Sequence, residues 1–237
     1  MSEWAPKRFW KAATVETAPS GYTVLLDGRG VRTPAKTPLE VPTEALAREI
    51  AAEWDAQEDR IDPRTMPFTR MSNSALDKVR PQRAAVADML AAYGDSDLLC
   101  YRADSPEGLV ARQAQGWDPL LDWAHQTYGA RLLPVAGVMH QPQDEAALAR
   151  LSDEVHGFDP FALAAVHDLV SISGSLVLAL AVTRGARDAA QAWDLSRIDE
   201  TWQQEQWGVD EEAAEVAALK RAEFLQAERF YRLVVPA

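Results

Sequence analysis

The most apolar run of the chain is LVSISGSLVLALAVT, Leu169 to Thr183, and it dictates much of what the rest must do. A bilayer span needs about 20 residues. This run is shorter and carries three serines and a glycine, so it does not read as a membrane segment. A helix apolar on nearly every face has to be covered on every side, and a fully buried central helix is expected here. The 237 residues are ample for such a core, in one large domain or two small ones.

Local patterning divides the chain into two halves. Up to about Met71 it reads as β-rich. GYTVLLDGRGVRTPAKTPLEVP places β-branched and apolar residues around an Asp-Gly turn, a strong hairpin signal. Pro34, Pro38 and Pro42 restrict the next segments to edge strands or extended connections. RFWKAATVE reads as a further strand, with Phe9 and Trp10 as core bulk. One helix is embedded here: Thr43 can cap it, and Leu46, Ile50 and Trp54 share a face. IDPRTMPFTR returns to extended, proline-punctuated chain.

Beyond about Ser72 the pattern is helical. Pro81 to Tyr93 carries a stripe of Val86, Leu90 and Tyr93, and Ser105-Pro106, Asp118-Pro119 and Asp159-Pro160 each read as a cap followed by a first-turn proline. A further helix spans Gln141 to Val155, one ends near Gly208, and one capped by Asp210 runs towards Val234. The fold class expected is α+β: a small β-rich domain with an embedded helix over residues 1–75, then a larger all-helical domain over 76–237.

Composition and motifs exclude more than they identify. A formal charge of −12 argues against nucleic acid and anionic membranes. Cys100 is the sole cysteine, so neither an internal disulfide nor a Cys-rich zinc motif is possible, and its apolar neighbours mark a buried thiol. Among His125, His140, His156 and His167 no two stand at i, i+4, and no metal site or cofactor is expected. SISGSL lacks the nucleophile-elbow pattern, and its serines read as bonding their own backbone. DGRG is a turn rather than a dinucleotide loop, and no Walker motif occurs. No apolar targeting segment opens the chain. An enzyme with an unrecognised site in the helical domain, or a nucleotide-binding module, are the rival readings.

SRIDETWQQEQWGVDEEAAE, Ser196 to Glu215, holds seven carboxylates and one basic residue, Arg197. On one helix Leu195, Ile198 and Trp202 form an apolar stripe, and Gly208 ends it. Asp210, Glu211 and Glu212 are accounted for by the positive end of the next helix. Asp199 and Glu200, expected in mid-helix with few cations to balance them, are not. They read either as a solvated face or as an acidic docking surface for a basic partner.

RFWK, GYTVLLDGRGVRTPAKTPL, EWDAQ, MPFTRMSNSALD, SDLLCYRA, WDPLLDW, SGSLVLALA and SRIDETWQQEQWG occur in that order along the chain. Together they resemble the assembly chaperones for the alpha subunit of the catalytic sector of ATP synthase, known from mitochondria and alpha-proteobacteria. The resemblance implies a non-enzymatic protein with a β-rich N-terminal and a helical C-terminal domain. It would bind the unassembled alpha subunit and shield the face that later meets a beta subunit. The family's acidic position corresponds to Asp199, followed by Glu200, and with Glu205 these are the expected partner-binding residues. Trp54, Ile198, Trp202 and Trp207 are expected to be structural. A bacterial cytoplasmic protein, monomeric when free, is the corresponding expectation, or a matrix protein if a presequence has been removed.

Overall fold

A computed structural model describes residues 7–137 and 139–235. The expectation about targeting falls partly on residues 1–6, outside the described residues. The chain forms two compact units. One gathers the residues up to Arg83, 159–164, and those from Arg229 onward; the other comprises 84–158 and 165–228. Residues 75 and 76, the expected boundary, lie inside a helical run that is continuous from Pro67 to Ala91 through a π turn at Ala75–Val79.

In the first unit β1 (Ala13–Ala18), β2 (Gly21–Leu26), β3 (Arg29–Gly30) and β4 (Glu40–Val41) form an antiparallel sheet in which β2 pairs with the other three. Leu26 faces Arg29 across Asp27 and Gly28, whose φ angles are 48° and 80°. Two positive φ values in a two-residue turn suit Asp-Gly and match the twist of the flanking strands. α1 (Glu44–Asp55) packs on β1 and β2, with Leu46 and Ile50 fully buried. Thr43 Oγ1 accepts from Leu46 N at 3.2 Å, as a cap should. Trp10 is buried, whereas Phe9, expected beside it in the core, is 64% exposed. Strand β1 starts only at Ala13, and neighbours in extended chain point opposite ways.

IDPRTMPFTR is not extended. A 3-10 turn at Pro63–Thr65 precedes α2 (Pro67–Ser74). The reason is remote in sequence. The buried Glu53 carboxylate, from α1, accepts from Phe68 N at 2.6 Å, Thr69 N at 2.8 Å and Thr69 Oγ1 at 2.7 Å. It satisfies the donors that the start of α2 leaves open. Gln57 holds the connection: its Oε1 accepts from Asp62 N at 2.6 Å, and its Nε2 donates to Thr65 Oγ1 at 3.0 Å.

The second unit is built from α3 (Arg83–Ala91), α4 (Glu107–Tyr128), α5 (Glu145–His156), α6 (Pro160–Ser173), α7 (Leu176–Thr183), α8 (Ala189–Ser196), α9 (Ile198–Trp207) and α10 (Glu211–Val234). The first residues of α6 and the last of α10 belong to the other unit. The helical unit also holds a short parallel pair, β5 (Tyr101–Arg102) with β6 (Val135–Ala136). Asp118-Pro119 opens no new helix, because α4 runs through Pro119.

The single central helix expected over 169–183 is two helices, broken at Gly174 with φ 73°. Burial is as expected over Leu176 to Val182, which are all buried, whereas Ser171 is exposed and Ile172 half-buried. Ser175 is the N-cap of α7, accepting from Leu178 N at 3.0 Å. The buried Asp97 completes that start, accepting from Ser175 Oγ at 2.7 Å and from Val177 N at 2.9 Å. Ser171 and Ser173 bond their own helix, to the carbonyls of His167 at 2.7 Å and Leu169 at 2.6 Å. No helix among the described residues is long and apolar enough to cross a membrane.

Candidate functional site

The acidic stretch lies where α9 packs on α4. Arg197, with φ −114° and ψ 17°, separates α8 from α9, so Asp199 and Glu200 fall in the first turn of α9 rather than in mid-helix. Carboxylates there complement the positive end of the helix. The break separates Leu195 from Ile198, yet both still turn to α4. A Cβ added to Gly116 would stand 2.7 Å from Ile198 Cδ1 and 3.0 Å from Leu195 Cδ2. At Gly108 an added Cβ would stand 2.6 Å from Trp202 Cη2. Two glycines eight residues apart therefore give α4 a face into which α9 sinks its apolar residues.

Each carboxylate of α9 has a partner inside the molecule. Gln113 Nε2 donates to Asp199 Oδ1 at 2.6 Å, while Gln113 Oε1 accepts from Ala103 N at 2.8 Å. Gln113 is almost fully buried, so this amide fixes Asp199 against a rigid support. Glu200 pairs with Arg197 at 2.6 Å, and that guanidinium lies 5.6 Å from the Trp193 ring centre. Glu205 receives both arms of Arg112, at 2.9 and 2.8 Å, and Arg112 covers Trp202 at 5.0 Å. The Arg112 fork holds Glu205 below the ordinary carboxylate range. The expected shortage of balancing cations holds for Asp199 alone, because its partner is a neutral amide.

The tryptophans divide. Trp202 is half-buried between Gly108 and Arg112, and Ile198 is buried. Trp207, expected to be structural, is 80% exposed, because it closes the last turn of α9 beyond the reach of α4. In the other unit Trp54 is half-buried and meets Trp10 edge-on, ring centres 5.2 Å apart.

Sequence reasoning missed Arg112, Gln113, Gly108 and Gly116. A signal was present, since glycine inside a helical pattern marks close packing, and 108, 112 and 116 share one helical face. Trp117 belongs to the same contact, donating from Nε1 to the Leu195 carbonyl at 2.8 Å.

Nothing in these contacts resembles an acid–base or nucleophilic pair. The histidines are dispersed: His140 faces Asp95 at 3.3 Å, His156 faces Asp88 at 2.9 Å, and His167 faces its neighbour Asp168 at 2.9 Å. Among the described residues no three His, Cys, Asp or Glu side chains are placed to share a metal ion. Burial and the nearby Asp97 push the Cys100 thiol up to about 12, far from a nucleophile's range. A recess of about 680 Å³ in the first unit is lined by Lys7, Arg8, Phe9, Trp10, Glu58 and Asp59, together with Arg60, mixed charges with no serine, cysteine or histidine among them.

Comparison with known proteins places this arrangement. The model of a family described as ATP12 chaperone protein matches residues 7–125. Protein atp12, mitochondrial, of Schizosaccharomyces pombe is 25% identical over 222 residues, covering 89% of this chain and 76% of its own. The crystal structure of Atp12 from Paracoccus denitrificans is 53% identical, with a TM-score of 0.95 over 98% of this chain and 100% of that one. A structure of a protein from Agrobacterium tumefaciens is 44% identical, with a TM-score of 0.92 over 97% of this chain and 87% of that one.

Proposed function

Because this chain belongs to the ATP12 chaperone protein family, we propose that it acts in ATP synthase assembly, holding the unassembled alpha subunit of the catalytic sector. It covers the face that will later meet a beta subunit and performs no chemistry of its own. The observation that carries this reading is the near-complete fold match at 53% identity to Atp12 of Paracoccus denitrificans. The polar groups of α4 and α9 agree with it, since each is paired within the chain and none is set for proton transfer.

A subunit destined for an alternating ring exposes an apolar contact face until its neighbour arrives, and exposed faces of that kind aggregate. The chaperone must bind this face and then lose it to the beta subunit. A preference of about 1.4 kcal/mol for the final partner already shifts the exchange tenfold. Asp199, Glu200 and Glu205 form the acidic docking surface. Asp199 contributes most to its charge, because Arg197 and Arg112 offset the other two. Trp54, Ile198 and Trp202 belong to the fold.

The test is a solubility assay on the purified alpha subunit. Equimolar wild-type protein should keep it soluble and form a complex that added beta subunit dissolves. Asp199→Lys should slow complex formation more than Glu205→Lys does. An alpha subunit that precipitates equally fast with and without this protein would refute the reading.

A further inference from the structure

α10 runs from Glu211 to Val234, but no residue from 211 to 223 is buried. The helix turns inward only at Phe224 and Ala227, both fully covered. Its first 13 residues, on the order of 20 Å of helix, have no apolar face packed away. Exposed apolar side chains are nevertheless present. Val216 is 47% and Leu219 67% exposed, and in the preceding turn Trp207 is 80% and Val209 66% exposed. Val216 and Leu219 stand at i, i+3, on one side of the helix. Four such residues lie within 13 positions, a density of exposed apolar side chains that a solitary protein normally does not maintain.

Charge restricts what can cover them. From Ile198 to Leu219 there is no lysine or arginine; the four carboxylates of Asp210, Glu211, Glu212 and Glu215 border the patch and outnumber the two cations at its far end, Lys220 and Arg221. Asp210 caps α10, accepting from Ala213 N at 3.1 Å. Unlike Glu200 and Glu205, the three glutamates stand in no ion pair among the described residues. A second copy of this chain would bring the same net negative rim against this one, and an anionic bilayer would be repelled likewise. A protein face with an apolar centre and a Lys/Arg border meets both requirements.

We infer that Trp207, Val209, Val216 and Leu219, rimmed by Glu211, Glu212 and Glu215, form the main apolar docking surface of this protein for a basic-bordered face of a folded partner. This rests on the chaperone reading, in which that partner is the alpha subunit. It moves the centre of binding from the internally paired carboxylates of α9 to the open turn and helix beyond them. An exposed tryptophan is the natural anchor, because large aromatic side chains dominate such contacts, and the glutamates set the approach.

The experiment compares binding of purified alpha subunit by three variants of the full chain. Trp207→Ser/Leu219→Ser should keep the wild-type unfolding midpoint and weaken binding by about tenfold or more, through faster release. Glu211→Lys/Glu212→Lys/Glu215→Lys should slow association and flatten its dependence on salt; it tests the same surface even if the first variant folds poorly. Met89→Ser, removing a 47% exposed residue elsewhere in the same unit, should bind as wild type does. Wild-type affinity in the first two variants overturns the docking surface and leaves the chaperone reading standing. So does an equal loss in Met89→Ser. Failure of the wild-type protein itself to bind the alpha subunit overturns both.

Discussion

Asp97 shows what a single buried carboxylate contributes. It accepts from Leu99 N at 3.0 Å as well as from Ser175 and Val177, tying SDLLC to the start of α7. Burial outweighs these bonds and raises its pKa from 3.8 to about 6. The folded state thus keeps a proton that the unfolded chain has released, so this group's contribution to stability falls as pH rises from 3.8 towards about 6 and is level outside that window. Asp97→Asn removes the titration. Whichever way the amide turns, its NH2 group faces a donor, so the variant should lose about 1–3 kcal/mol. Urea unfolding of both proteins across the window checks this: the deficit of the variant should be largest at the acid end. A deficit independent of pH would mean that Asp97 stays ionised throughout.

At the scale of elements, the α4–α9 contact rests on two glycines. Alanine at 116 would gain about 1 kcal/mol of helix propensity, but its Cβ would lie 2.7 Å from Ile198 Cδ1 and 3.0 Å from Leu195 Cδ2. Overpacking of that kind costs about 1–3 kcal/mol, so Gly116→Ala should be destabilising on balance, as should Gly108→Ala against Trp202. Denaturant midpoints will show it. A stabilised Gly116→Ala would mean that α9 can shift away freely and that Asp199 is not held as described. α2 teaches the same lesson from the opposite side, since its start is stabilised by Glu53, a residue of another helix.

For the whole molecule, a net charge of −12 concentrated partly between Asp199 and Glu215 makes association with a basic face electrostatically steered. On the proposed function, the association rate with the alpha subunit should therefore fall by roughly tenfold or more between low and physiological salt, where the screening length shrinks to about 8 Å. Release should change little, because the proposed docking surface is apolar at its centre. Stopped-flow mixing at several salt concentrations separates the two. A salt-independent association rate would remove steering from the account.

What the sequence determined by itself is what local rules govern. The Asp-Gly hairpin, the Thr43 cap and the burial of Leu176 to Val182 each depend on dihedral preference, one side chain or raw hydrophobicity. The family resemblance was legible for a related reason. Several of the shared strings hold residues that clamp separate elements together, such as Glu53 in EWDAQ and Asp97 in SDLLCYRA. What those residues hold was not legible, because a hydrogen bond between residues 97 and 175 leaves no periodic trace between them. For the same reason the partners of Asp199, Glu200 and Glu205 and the exposure of Trp207 required the tertiary structure. A helical stripe shows which residues share a side; only packing decides whether that side meets protein or water.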